Sequence, residues 1–209
     1  HGWGKPWFVV YEENKTALGF AIYYLKSPSD GQITIPHGLV NADMIIHSNP
    51  ASHAALWEHL LNIDLYDRLS TWRSPSDDSL PWMLADQRQL ERRPYDGVWY
   101  RLLDVADALS SRTYLTSGTL IFEVEDSFIP EWGGRFELSG GPDGSRCTPS
   151  RKVPDITLPT ATLATIYLGG ARLMELERAG RAEENTEGAI ELADAMFATL
   201  RAPWCPMMF

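Results

Sequence analysis

The segment Arg92-Arg93-Pro94-Tyr95-Asp96-Gly97 sets the firmest limit on how this chain folds. Charge, a proline and a glycine together break any strand or helix running through it, so it reads as a domain boundary. The 209 residues then fall into two parts, each of which must bury a small core of its own. With 44% apolar and 22% charged residues the composition supports two such cores and not a disordered chain. The chain opens at His1 without an initiator Met, on Trp3 and Trp7, and we expect it to be a piece of a larger protein.

Ahead of the boundary, Phe8 to Tyr11 and Leu18 to Leu25 are β-branched and aromatic runs separated by Glu12-Glu13-Asn14-Lys15, a hairpin signal. Ser27-Pro28-Ser29-Asp30-Gly31 reads as a turn, and Leu39 to Ile46 as a further strand. Next comes a helix start: Asn49 suits the N-cap, and Pro50 suits the first helical position, where its missing N–H is no loss. Leu56, Leu60 and Ile63 recur at helical spacing and give one buried stripe. Arg68 to Trp72 reads as a strand, Pro75 to Asp78 as a turn and Leu80 to Leu90 as a short helix.

Behind the boundary, Val98 to Val105 reads as a strand, Ala106 to Ser111 as a short helix and Leu120 to Val124 as an alternating strand. Arg135 to Leu138 is another, turned by Gly140-Gly141-Pro142-Asp143-Gly144 into Ser145 to Thr148. Helices close the chain. The last has the strongest pattern: Ala189, Leu192, Ala193, Met196, Phe197 and Leu200 form a stripe opposite Glu187, Glu191 and Asp194. Strands first and helices mainly at the end predict an α+β architecture in two parts, not a doubly wound sheet.

A net charge of −10 repels phosphate backbones and anionic lipid surfaces, so neither nucleic acid nor a membrane is an expected partner. The same field would gather cationic small molecules such as polyamines or amino sugars. There is no apolar run of spanning length and no secretory leader pattern, and we expect a cytoplasmic protein. Cys147 and Cys205 stand far apart and read as free thiols. His47, His53 and His59 lie six residues apart, so on a helix they would point different ways, and no metal site is expected. The glycine pairs Gly140-Gly141 and Gly169-Gly170 lack a phosphate-loop context and read as turns or a helix boundary.

The chain ends Ala202-Pro203-Trp204-Cys205-Pro206-Met207-Met208-Phe209. Free termini are usually polar, so this apolar one should be docked. Its last group is an α-carboxylate with an ordinary pKa of about 3.5, which becomes a stronger base in an apolar pocket.

Several stretches carry a resemblance: Asp96 to Val105, Leu109 to Tyr114, Leu138 to Gly144, Tyr167-Leu168-Gly169-Gly170 and Ala202 to Pro206. In this order they resemble the C-terminal region of the Eis (enhanced intracellular survival) family of GNAT N-acetyltransferases. Asn49 to Leu90, with Leu56-Trp57 and Asp77-Asp78-Ser79-Leu80-Pro81, is similar to that family's central region. The resemblance implies a three-part parent with an acetyl-CoA-binding front GNAT domain. Residues 1–95 would be the later part of a degenerate central GNAT domain, and residues 96–209 a sterol-carrier-protein-like domain. This chain alone would then be inactive, with acetyl-CoA bound mainly outside it.

The residues agree with that placement. A working GNAT domain follows its fourth strand with a [RQ]xxGx[GA] loop whose N–H groups hold the cofactor diphosphate. Here the strand Leu39 to Ile46 runs into His47-Ser48-Asn49-Pro50-Ala51-Ser52, which has no glycine and one donor fewer. The resemblance further implies that the terminal carboxylate, here that of Phe209, is the general base that takes a proton from a primary amine. Some members place an acidic residue beside the terminal Phe to bind cationic amino sugars, and Met208 stands there in this chain. Met208 and Phe209 are thus the expected substrate-binding residues for an amine of aminoglycoside, polyamine or lysine type. The family's ring-like assemblies imply a homo-oligomer. The rival readings are a lipid- or sterol-binding module, since a sterol-carrier fold can enclose an apolar tunnel, and a non-catalytic assembly domain.

Overall fold

The structure, a computed structural model, describes residues 4–26 and 38–207. The turn expected at Ser27 to Gly31 and the site residues Met208 and Phe209 lie outside the described residues. The chain forms two compact units, one running to Gly97 and including the chain end from Trp204, the other Val98–Pro203.

In the first unit, strand β1 (Trp7–Glu13) and strand β2 (Thr16–Lys26) pair antiparallel, from Trp7 opposite Tyr23 to Glu13 opposite Thr16. Asn14 and Lys15 make the turn with φ of 49° and 65°, the left-handed conformation that a two-residue hairpin requires. Strand β3 (Gly38–His47) adds antiparallel to β2. Helix α1 (Pro50–Leu61) then crosses over to strand β4 (Tyr66–Thr71), which is parallel to β3, giving the order β1-β2-β3-β4. The core lies between one face of this sheet and α1, where Ala21, Tyr23, Val40 and Ala42 meet Leu56, Trp57 and Leu60. Gly19 on β2 lets α1 sit this close, because a Cβ there would lie 2.9 Å from the Ile46 carbonyl oxygen and 3.1 Å from Leu56.

The expected helix from Leu80 to Leu90 is shorter: α2 spans Leu80–Met83, and only a 3-10 turn at Gln87–Gln89 follows. Asp86 accepts from the Arg88 N–H and starts that separate turn, which ends the first helix.

The second unit opens with a correction. Val98 to Val105 is not a strand; it is held by its side chains. The Tyr100 hydroxyl donates to the Ala164 carbonyl, Arg101 pairs with Asp126, and Leu102 is buried. Helix α3 (Val105–Ser110) follows, with Asp104 accepting from the Asp107 N–H as its cap. Strands β5 (Gly118–Glu125), β6 (Gly134–Gly141) and β7 (Gly144–Pro149) form an antiparallel meander. Strand β8 (Ile156–Pro159), unforeseen from the sequence, lies parallel to β5. Helix α4 (Thr160–Tyr167), helix α5 (Leu173–Arg178), strand β9 (Glu183–Glu184) and helix α6 (Ala189–Phe197) complete the unit, with sheet order β7-β6-β5-β8-β9. Leu120, Phe122 and Val124 of β5 meet Leu163, Ile166, Met196 and Phe197 in its core. The last helix stops at Phe197, so Leu200 falls off the expected stripe and is 88% exposed. Asp194, on the expected solvent face, instead accepts from the Leu173 and Met174 N–H groups.

A candidate site at the first strand-to-helix junction

The junction between β3 and α1 is the place at which the resemblance would put a cofactor diphosphate. The Ser48 N–H and hydroxyl both donate to the Leu18 carbonyl, at 2.9 and 2.8 Å, which ties the end of β3 back to β2. Asn49 caps α1: its side chain accepts from the Ser52 N–H at 2.8 Å, and the Ser52 hydroxyl accepts from the Asn49 N–H at 3.3 Å. The His53 N–H bonds the Asn49 carbonyl at 3.1 Å, and Pro50 has no N–H to offer. Pro50 thus offers no donor, and the Asn49, Ser52 and His53 N–H groups are already bonded within the cap and helix. With no glycine and few open donors, this first turn differs from a glycine-rich diphosphate loop.

Polar side chains are buried beside this junction, Ser52 and His53 among them. His53 is 3% exposed and stacks on His47, with ring centroids 4.0 Å apart. The two meet because His47 is the last residue of β3, not part of the helix, so helical spacing does not separate them. Trp57 Nε1 donates to His53 Nε2 at 2.8 Å, which leaves the ring proton on Nδ1, 3.2 Å from Ser79 Oγ. Asp78 Oδ1 lies 3.3 Å from the same Nε2, and the Leu80 N–H donates to it at 2.7 Å. An acid, a histidine and a serine come together here, yet Trp57 holds the nitrogen that a triad would need to point at the acid. The cluster fastens the 78–80 loop to α1. Sequence reasoning missed it, because Asp78 and Ser79 arrive from a loop beyond β4. Among the described residues no group of His, Cys, Asp or Glu side chains is arranged to hold a metal.

The second unit holds one buried charge, Asp126, and one half-buried, Arg112. Asp126 accepts from the Phe128 and Ile129 N–H groups at 2.9 and 2.8 Å and from Arg101, and the Thr160 hydroxyl lies 3.2 Å away. The Ile129 N–H, then Arg101 and the Phe128 N–H, hold its carboxyl down at about 2 against the opposing push of burial. Arg112 bonds the Tyr167 and Phe197 carbonyls and lies over the rings of Tyr114, Tyr167 and Phe197. Both are anchors of chain geometry. Burial, then the charge of Asp104, pushes the Cys147 thiol up to about 11, which suits an inert core residue.

Of the expected C-terminal site, the described part ends at Met207, which is 63% exposed, and Trp204 is 39% exposed. Upstream the chain is docked: a Cβ on Gly169 would meet Thr199 at 2.6 Å and one on Gly170 would meet Pro203 at 2.8 Å. Gly169, at φ 76°, is the turn after α4 that the glycine pair suggested, whereas Gly140 and Gly141 lie within β6.

Two α+β units in series, the first with a strand-helix-strand crossover of GNAT type, define the class, and comparison with known proteins agrees. Residues 2–102 match the acetyltransferase (GNAT) domain family and residues 105–206 the sterol carrier protein domain family. An uncharacterized N-acetyltransferase of Streptomyces avermitilis is 37% identical over 209 residues, covering 99% of this chain and 50% of the relative. N-acetyltransferase Eis of Mycobacterium tuberculosis is 34% identical over 153 residues, covering 71% of this chain and 36% of Eis. The crystal structure of Eis1 from Mycobacterium abscessus superposes with a TM-score of 0.77 at 33% identity, over 91% of this chain and 48% of that one. A GCN5-related N-acetyltransferase of Anabaena variabilis, at 21% identity and a TM-score of 0.76, shows the shared fold. The chain belongs to the Eis-like GNAT N-acetyltransferases, with their GNAT and sterol-carrier-like domains. It spans about half the length of the curated relatives it matches.

Proposed function

We propose that this chain is the central-to-C-terminal portion of an acetyl-CoA-dependent N-acetyltransferase of the cytoplasm that acts on cationic primary amines. Residues 1–95 are its degenerate GNAT part and residues 96–209 its sterol-carrier-like part. The observation that carries this reading is likeness to N-acetyltransferases along 99% of the chain, joined to a β3–α1 junction whose donors serve its own cap. Cofactor binding therefore falls to the part of the polypeptide that this chain does not match. In this reading the Phe209 carboxylate takes the proton from the amine, Met208 and Phe209 face the substrate, and subunits associate through this portion. The 209 residues alone do not turn over acetyl-CoA.

The test is acetyl-CoA turnover with a polyamine panel by the full-length gene product, native and with one glycine appended after Phe209. The extension should abolish kcat and leave the melting temperature unchanged, because it moves the carboxylate by a whole residue. Equal activity of both forms would remove the base from Phe209, and no turnover by either would sink the acetyltransferase reading. Lipid carriage fits less well, since the interior of the second unit is filled by its own side chains, from Leu102 to Phe197.

A further inference from the structure

The glycine pair after α4 does more than turn the chain. Gly169 takes the left-handed conformation at φ 76°, and its N–H bonds the Ile166 carbonyl at 2.9 Å, which closes the helix. Gly170 lies outside the left-handed region, so an alanine there meets no such strain. What it would meet is Pro203. Among the described residues, its own chain neighbours aside, the heavy atoms within 4 Å of a Cβ on Gly170 are Pro203 Cγ at 2.8 Å and Cδ at 3.4 Å. Carbon atoms rest in contact at about 3.5–4 Å, so the chain end passes over Gly170 at a height that only a glycine allows.

Both sides of this crossing are tied. The Arg112 guanidinium donates to the carbonyl of Tyr167, the last residue of α4, and at 3.3 Å to that of Phe197, the last of α6, so one planar fork joins the two helix ends. Beyond α6, Thr199 lies over Gly169, and its hydroxyl donates to the Arg201 carbonyl at 2.8 Å. Pro203 follows as the last residue of the second unit. Its ring is closed onto its own backbone nitrogen, so Cγ cannot swing aside as a free side chain would. A methyl on Gly170 therefore shifts main chain. Leu163 and Ile166 hold α4 in the core, whereas Pro203 is exposed, so the segment leaving α6 is the side that gives way.

We propose that Gly170 is a positioning residue for acetyl transfer: its bare backbone seats Pro203 and so sets the line along which the chain runs on to Phe209, six residues later. The inference rests on the reading of the Phe209 carboxylate as the base. Gly170 acts only through the segment that carries that carboxylate, and a misplacement of about 1 Å at a reacting group is enough to cost on the order of a hundredfold in rate.

The experiment is a double-mutant cycle between Gly170→Ala and Pro203→Ala in the full-length gene product, read by acetyl-CoA turnover on the polyamine panel beside the glycine-appended form. Gly170→Ala should lower kcat about ten- to a hundredfold and leave the acetyl-CoA KM and the melting temperature unchanged. Iodoacetamide labelling of Cys205, half-buried and two residues past Pro203, should rise several-fold, with Cys147 silent in the core. Pro203→Ala takes away Cγ and Cδ, so adding it to Gly170→Ala should restore most of the lost kcat. Native kcat in Gly170→Ala, where the appended glycine abolishes turnover, overturns the proposal and leaves the Phe209 reading standing. Unchanged Cys205 labelling overturns it as well, as does a double variant slower than Gly170→Ala, because the loss then does not come from the overlap. An appended glycine without effect, or a native protein without turnover, removes the Phe209 reading and the proposal with it. Should Gly170→Ala not fold, Pro203→Ala alone decides: it vacates the seat, and native kcat with native labelling overturns the proposal.

Discussion

The two sheets of this protein treat their outer faces in opposite ways. On the second, Arg135 pairs with Glu123, Lys152 bonds Glu137 at 2.7 Å, and the Thr119 hydroxyl donates to Ser139 at 3.1 Å. This mixed, mostly antiparallel sheet has one face on the core and one in water. On the first, the corresponding face carries Phe8, Val10, Phe20, Ile22, Met44 and Ile46. The contrast teaches that a polar outer face marks a finished unit, and an apolar one marks a sheet whose second layer comes from elsewhere.

The largest effect that bears on this contrast is a core truncation. Phe122→Ala, at a fully buried ring that meets Phe197 edge to face, should cost about 3–5 kcal/mol by urea unfolding. Phe8→Ala in the chain alone should stay within about 0.5 kcal/mol of the parent. A large loss at Phe8 would show that its face is already buried and would collapse the contrast.

Acid should tell the units apart next. Asp126 has its carboxyl held at about 2, below its ordinary 3.8, so its contribution is present above pH 3.8 and fades as pH falls through about 2. Melting curves between pH 5 and pH 2 should show the native chain losing its advantage over Asp126→Asn toward the acid end. A gap that does not change with pH would mean that the carboxylate charge is not what holds the second unit there.

Within the first unit, Asn49→Ala removes the acceptor for the Ser52 N–H and should cost about 1 kcal/mol. Smallest of all, Lys15→Gly relieves a left-handed residue in the hairpin turn and should gain at most about 1 kcal/mol. Urea midpoints read both, and a loss at Lys15 would argue that its side chain, not its backbone, sets the turn.

Much of the fold was legible because it rests on neighbours in sequence. The β1–β2 hairpin, the Asn49-Pro50 helix start, β5 and the β6–β7 turn all come from short-range pattern and capping chemistry. Val98 to Val105 misled because its Val, Trp, Tyr and Leu content favours strand, whereas Tyr100 and Arg101 are used by partners far along the chain. Strand β8 is four residues long, with Pro154 just ahead of it and Pro159 as its last residue, and its parallel pairing with β5 leaves no local trace. The candidate site was legible in one respect, the loop without glycine after β3. The His47–His53 stack and the Asp78 and Ser79 contacts were not, because they join a strand end, a helix and a loop.

By itself, then, the sequence determined what depends on a few adjacent residues: the turns, the caps, the amphipathic stripes and the break near Gly97. Only the tertiary structure decided which face of the first sheet α1 covers and which charges anchor the second unit. The reason is physical. A strand with apolar residues on both sides specifies that both be buried but not by what, and that choice is made by segments distant in the chain.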